Sequence, residues 1–143
     1  MEEDKVKRLK GFTLIELMIV VIIIAALAAM VVPRLSGRTE QSRVAVADAD
    51  IKANIATALK LYELDNGNFP TTEQGLNALL SKPASNPAPL NWNGPYLEKK
   101  PSDPWKNPYQ YKSPGVHNTT TYDLYSVGKD GTEGTADDVK NWE

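Results

Sequence analysis

From Phe12 to Val32 nearly every position is apolar; the exceptions are Thr13 and Glu16. At 1.5 Å per residue that run makes about 31 Å of helix, which matches the hydrocarbon core of a bilayer. Pro33 ends it, and a kink or melted turn is expected near Met30 to Gly37 because proline removes a helical hydrogen bond and crowds the preceding turn. Helical patterning resumes after Gly37. Val44, Ile51, Ile55, Leu59 and Tyr62 recur at helical spacings and predict a buried stripe. Arg38, Glu40, Arg43, Asp48, Asp50 and Lys52 supply the wet face, and the alanines between favour helix and close packing. Asp65-Asn66-Gly67 is the stop, with Gly67 as a left-handed cap. Phe12 to Leu64 therefore reads as one long, interrupted helix.

Beyond it the pattern shortens. Thr71-Thr72-Glu73-Gln74 predicts a capping box and a short helix to Leu79 or Leu80. Lys82 to Pro104 is rich in proline and reads as an ordered loop anchored by Leu90, Trp92, Tyr96 and Leu97. Strand-like pieces follow at Tyr109 to Lys112, Thr121 to Ser126 and Val139 to Trp142, with a Pro114-Gly115 turn between the first two. Three short antiparallel strands against a helix make a small α+β head.

The chain has 143 residues, enough for one domain, and a net charge of −2. With no cysteine it must be held by packing, and by a metal if one binds. No basic stripe follows the first forty or so residues, which argues against nucleic acid as a partner.

Lys5, Lys7, Arg8 and Lys10 precede the apolar run, so the rest of the chain is expected to point away from the cytoplasm. A cleaved secretory signal, with Ala25-Ala26-Leu27-Ala28-Ala29 as the cut region, and an unprocessed anchor are both open readings. Neither uses Glu16. A carboxylate inside a spanning helix costs roughly 2.5–3.5 kcal/mol on insertion scales and calls for a partner. An α-amino group freed before Phe12 would be one, on the same chain or, better, on a neighbouring helix.

Lys10-Gly11-Phe12-Thr13-Leu14-Ile15-Glu16-Leu17-Met18-Ile19-Val20 resembles the prepilin motif of type IV pilins and type II secretion pseudopilins. The resemblance implies cleavage between Gly11 and Phe12 by a prepilin peptidase, N-methylation of Phe12, and pairing of Glu16 with the Phe12 amine of an adjacent subunit during assembly. Thr13, three residues before Glu16, could hydrogen-bond it. It also implies that the helix can loosen around Pro33 and Gly37 when the subunit leaves the membrane. Filament contacts are expected within Phe12 to Arg43.

Asp103-Pro104-Trp105-Lys106-Asn107-Pro108-Tyr109 reads physically as a rigid turn entering a strand. It resembles the Asp-Pro-Trp-Gly-x-Pro-Tyr stretch of major pseudopilins, with Lys106 where that pattern has Gly. Gly128 to Asp138 then gathers four carboxylates and three glycines. Hard cations take about six to eight oxygen ligands, and glycines let a loop curl its carbonyls inward. The residues alone leave a calcium site and a solvated acidic turn both open, and the EF-hand spacing does not fit. The family resemblance implies a calcium site built from Asp130, Asp137 and Asp138, completed by carbonyls near Val127, Lys129 and Thr132, with Glu133 outward.

The chain is thus expected to divide into a cleaved leader (1–11), a transmembrane and filament-core helix (12–32), an amphipathic helix (33–66) and a periplasmic head (67–143). The implied fold is pilin-like α+β: a long N-terminal helix packed on a three-stranded antiparallel sheet. The implied role is the major structural subunit of a type II secretion pseudopilus that helps drive folded proteins across the outer membrane. The implied place is the inner membrane, single-pass, and after assembly a periplasmic filament. Expected partners are copies of itself, minor pseudopilins, an inner-membrane assembly platform and the peptidase that also methylates. A type IV pilin for adhesion, motility or DNA uptake is the alternative, disfavoured by the missing cysteine pair. No enzymatic role is expected: His117 reads as a solvent-exposed turn residue, and Glu98, Asp103 and Asp123 as scattered acids.

Overall fold

The computed structural model describes residues 11–143, with side chains left out for 32–36. The basic leader residues 1–10 lie outside that description. The chain forms two compact units, divided between Thr39 and Glu40.

Helix α1 (Leu14–Ala49) begins in the first unit. Leu14–Val31 is long and apolar enough to cross a membrane, and none of it is buried among the described residues. Even mid-run side chains such as Ile22 and Leu27 are more than half exposed. α1 carries helical backbone through Pro33 and Gly37 without a break. The melted turn expected there is not seen. A proline in place keeps a helical φ and deletes a single N–H bond, so the neighbouring ladder can carry through.

The interruption falls later. Asp50–Asn54 forms a π-helical turn, and α2 (Ile55–Asn66) follows. The spacing of buried residues explains it. Ala47, Ile51, Ile55 and Leu59 are essentially inaccessible and recur every four residues. On an α-helix each such step overshoots a full turn by about 40°. A wider turn takes out part of the drift and keeps the row facing the core. Asp50 holds the turn: Asn54 Nδ2 donates to Oδ1 at 2.7 Å, and Tyr109 OH to Oδ2 at 2.9 Å. The predicted stripe therefore needs one correction. Val44 is 40% exposed, and Ala47 takes the inner position. α2 stops at Gly67, which has φ 80° and donates its N–H to Glu63 O at 2.7 Å, as expected of a left-handed cap.

Thr71 and Gln74 make the predicted reciprocal box: Gln74 N–H to Thr71 Oγ1 at 3.2 Å, and Thr71 N–H to Gln74 Oε1 at 3.1 Å. The helix does not continue from it as α. Gly75 turns left-handed at φ 57°, and Gly75–Leu79 is a 3-10 turn. The Gln74 amide also donates to Ser85 O and Pro87 O, which fastens the proline-rich loop. Trp92, Tyr96 and Leu97 anchor that loop on the core, but Leu90 is 94% exposed. The neighbouring Pro89 is buried in its place.

Strands β1 (Gln110–Lys112), β2 (Asp123–Ser126) and β3 (Val139–Lys140) form an antiparallel sheet in that order. Tyr111 faces Leu124, and Ser126 faces Val139. Leu124 and Val139 of the sheet and Tyr109 just before β1 join Ile51, Ile55, Leu59 and Tyr62 from the helical segments and Leu76 and Leu79 from the 3-10 turn in one core. Full burial of each large aliphatic side chain there is worth about 1.5–3 kcal/mol.

Candidate functional site

At the start of α1 the backbone of Thr13 donates to Glu16 Oε2 at 3.3 Å, and Glu16 N–H donates to Thr13 Oγ1 at 3.3 Å. This is a capping box, which satisfies two donors that a helix start leaves open. Leu17 N–H to Thr13 O at 3.2 Å closes the first turn. Glu16 is exposed, and so is Phe12, at 85%. Gly11 precedes them, and a Cβ there would meet nothing within 4 Å. The fold sets no steric demand for glycine at that position.

In the head, Asp103 is 3% exposed and organises the aromatic turn. Its Oδ1 accepts the N–H groups of Trp105 (3.0 Å) and Asn107 (2.7 Å), while Ser126 Oγ donates to Oδ2 at 2.5 Å. Lys106 sits between at φ 73°, the one positive-φ residue other than glycine among the described residues. The chain thus adopts a glycine-like conformation where the resembling motif has glycine. The turn is tied directly to the acidic loop. Gly128 N–H donates to Ser126 Oγ at 3.1 Å, and Asn107 Nδ2 to Gly128 O at 3.1 Å. In the sequence Asp103 stands both at the head of the aromatic motif and among the scattered acids, with no partner marked for it. The signal that could have found it is the Asp-Pro-Trp-x-Asn spacing, which lets one carboxylate cap two following N–H groups.

The acidic loop is built on Gly128 and its neighbours. A Cβ on Gly128 would lie 2.4 Å from Asp137 O, and its φ is 66°. Val127 is buried, while Lys129, Asp130 and Thr132 are exposed. Asp130 Oδ1 accepts Thr132 N–H at 2.8 Å. Asp137 Oδ2 accepts Asp130 N–H at 3.0 Å, and Asp137 Oδ1 accepts the Thr135 hydroxyl at 2.6 Å. Asp138 Oδ2 accepts Gly134 N–H at 2.8 Å. The Thr135 hydroxyl and the Asp130 N–H hold the Asp137 carboxyl below its ordinary value. Among the described residues no group of three or more such side chains is gathered as a ready metal cage. The backbone instead engages each aspartate separately. One oxygen is left over: Asp138 Oδ1 is buried without a hydrogen-bond partner. An orphan buried carboxylate oxygen in an all-oxygen donor set suits a hard cation. Glu133 is exposed, and its Oε1 accepts the Tyr125 hydroxyl at 2.5 Å.

Asp123 departs from its sequence reading, while His117 is exposed as expected but has partners. Asp123 is 3% exposed and accepts the N–H groups of Val116, His117 and Asn118 at 2.7–2.9 Å. Burial pushes its carboxyl up, but those donors outweigh burial and the net shift is downward. His117 is no free turn residue. Its ring stacks on Trp142 with centroids 4.1 Å apart, and Nδ1 lies 3.2 Å from Asp123 Oδ2. Together they pin the β1–β2 loop to the C-terminal end.

The chain as a whole is similar to known proteins. Residues 34–142 match the family described as type II secretion system, protein G, and residues 6–32 match the prokaryotic N-terminal methylation motif. The type II secretion system core protein G of Pseudomonas aeruginosa is 55% identical over 137 residues, covering 93% of this chain and 94% of that protein. Its counterpart in Escherichia coli K12 is 46% identical, over 93% and 90% respectively. The crystal structure of the major pseudopilin from the type 2 secretion system of enterohaemorrhagic Escherichia coli aligns with a TM-score of 0.67 at 39% identity, covering 77% of this chain and 95% of that one. The chain belongs to the type II secretion system protein G family, the major pseudopilins.

Proposed function

We propose that this chain is the major subunit of a type II secretion pseudopilus, held in the inner membrane by Leu14–Val31 with its head in the periplasm until it polymerises. The observation that carries the reading is an apolar helix long enough to cross a membrane, none of it buried among the described residues, opening on a carboxylate. Lipid covers that surface first, and copies of the same helix cover it in the filament. A prepilin peptidase cuts after Gly11, and the matched methylation motif supports methyl transfer to the Phe12 amine. The peptidase, not the fold, requires Gly11. The Thr13 box satisfies backbone donors and, among the described residues, brings no cation to the Glu16 carboxylate, so the Phe12 ammonium of a neighbour gains most by docking there. Minor pseudopilins and an assembly platform complete the set of partners. The role is structural rather than enzymatic, and growth of the filament pushes folded cargo toward the outer-membrane channel. The comparisons do not favour the type IV pilin alternative.

Calcium belongs to the same proposal. Asp130, Asp137 and Asp138, with carbonyls near Val127, Lys129 and Thr132, would hold the ion, Asp138 Oδ1 being the buried oxygen without a hydrogen-bond partner. When bound, the ion supplies positive charge that ties clustered carboxylates together.

The test is mass spectrometry of the mature chain together with filament assembly of a Glu16→Ala variant. The expected results are a chain beginning at methylated Phe12, and loss of filaments in the variant. A functional chain that retains residues 1–11, or normal fibres without Glu16, defeats the proposal.

A further inference from the structure

The chain holds two Asn-Gly pairs, Asn66–Gly67 and Asn93–Gly94, and the fold treats them oppositely. In such a pair the glycine nitrogen can attack the asparagine side-chain carbonyl carbon. A C–N bond forms, ammonia leaves, and water then opens the resulting succinimide to aspartate or isoaspartate. Glycine permits this because no Cβ obstructs the backbone rotation that the attack requires. The reaction needs a free glycine N–H and a movable asparagine side chain.

Asn66–Gly67 has neither. Gly67 N–H is committed to Glu63 O at 2.7 Å as the cap of α2. The Asn66 amide donates to Tyr62 O at 3.0 Å and accepts Asn91 N–H at 3.1 Å. Asn93 is exposed, and among the described residues no hydrogen bond holds its side-chain amide or the Gly94 N–H. The glycine cannot readily be replaced, since a Cβ on Gly94 would fall 2.4 Å from the Trp92 ring. Packing therefore maintains the reactive pair. The Asp130–Gly131 pair could follow the same route, but its carboxylate is held by Thr132 N–H and is the poorer electrophile.

We propose that Asn93 is a site of spontaneous deamidation and backbone isomerisation in the folded head. The product matters because of what flanks it. Trp92 Nε1 donates to Ala78 O at 2.8 Å, Tyr96 N–H to Leu79 O at 2.7 Å, and Asn93 N–H to Tyr96 OH at 3.0 Å. Isoaspartate lengthens the main chain by one carbon between those anchors. It also adds a carboxylate near Tyr96, whose hydroxyl already donates to Asp65 Oδ2 at 2.7 Å. Both changes loosen the proline-rich loop from the core.

The experiment ages the folded full-length chain in detergent at mildly alkaline pH and maps peptides by mass spectrometry, with a urea-unfolded sample alongside. In the folded chain Asn93 should convert on the order of tenfold faster than Asn66, the factor expected when a competing site must first break several hydrogen bonds. In urea the two should convert at similar rates. Aged wild type should become more protease-sensitive in the loop, while aged Asn93→Gln should not. Equal rates at the two sites in the folded chain, an Asn93 that reacts only in urea, or equal loss of protease resistance in Asn93→Gln would overturn the proposal.

Discussion

Lys106→Gly should stabilise the head. Lys106 is exposed, holds φ 73°, and makes no side-chain hydrogen bond or ion pair among the described residues. A side chain in the left-handed region costs about 1–2 kcal/mol through the clash of Cβ with the carbonyl oxygen. Glycine removes that cost but gains about 0.4–1 kcal/mol of unfolded-state freedom, which works against it. The difference leaves about 0.5–1 kcal/mol in favour of glycine. The turn's own bonds survive the change, because Lys106 N–H to Asp103 O at 2.9 Å is main chain. For a unit of about a hundred residues, 1 kcal/mol moves Tm by about 4–8 °C, so a rise of about 2–8 °C is expected. The assay is thermal unfolding followed by near-ultraviolet circular dichroism, which reports the packed tryptophans and tyrosines. Lys106→Ala is the control: it removes the same charge and keeps the strained φ, so it should give no gain. If alanine stabilises as much as glycine, or glycine not at all, the strain argument is wrong.

Asp103→Ala strands the N–H groups of Trp105 and Asn107 and the Ser126 hydroxyl, and should cost about 3 kcal/mol or more in urea unfolding. Leu59→Ala empties a fully buried site and should cost about 2–5 kcal/mol by the same measurement. Chelation should lower Tm and protease resistance, and added calcium should restore them; curves indifferent to both would remove the cation proposal. Acid should destabilise the head through Asp123. Its folded carboxyl lies below the unfolded value of about 3.9, so its contribution is full above that pH and is lost as pH falls through the folded value. Asp123→Asn should flatten that acid limb in a stability-against-pH series, whereas an unchanged slope would place the acid sensitivity elsewhere.

The elements that sequence located well are those fixed by local rules. The Gly67 cap, the Thr71–Gln74 box and the three strand centres follow from residue type and short spacing. What escaped depended on partners distant in sequence. The π-turn at Asp50–Asn54 answers a four-residue spacing of core contacts and a bond from Tyr109, and no local propensity announces it. Leu90 and Pro89 exchanged roles because burial within a loop depends on what the loop folds against. Asp103 and Asp123 looked unrelated because each binds through backbone N–H groups, which every residue but proline carries and which leave no compositional trace. The methylation motif was legible because a charge inside an apolar run is costly enough to demand a reason.

The network around Asp103 joins two motifs that are separate in sequence. Asp103 holds Ser126, Ser126 Oγ receives Gly128 N–H, and Asn107 reaches Gly128 O. The aromatic turn is therefore the floor on which the acidic loop stands. If a cation binds Asp130, Asp137 and Asp138, its binding and the integrity of that floor are coupled, and the coupling is reciprocal. A thermodynamic cycle of one substitution against calcium binding isolates it. Calcium should raise the Tm of the wild type by more than that of Asp103→Ala, because in the variant part of the binding energy must reorder Gly128 before the loop can close. Asp103→Ala should correspondingly need more calcium for half-maximal stabilisation. Equal calcium-dependent gains in both proteins would mean that the loop organises its ligands by itself, and that the aromatic turn supports only the sheet.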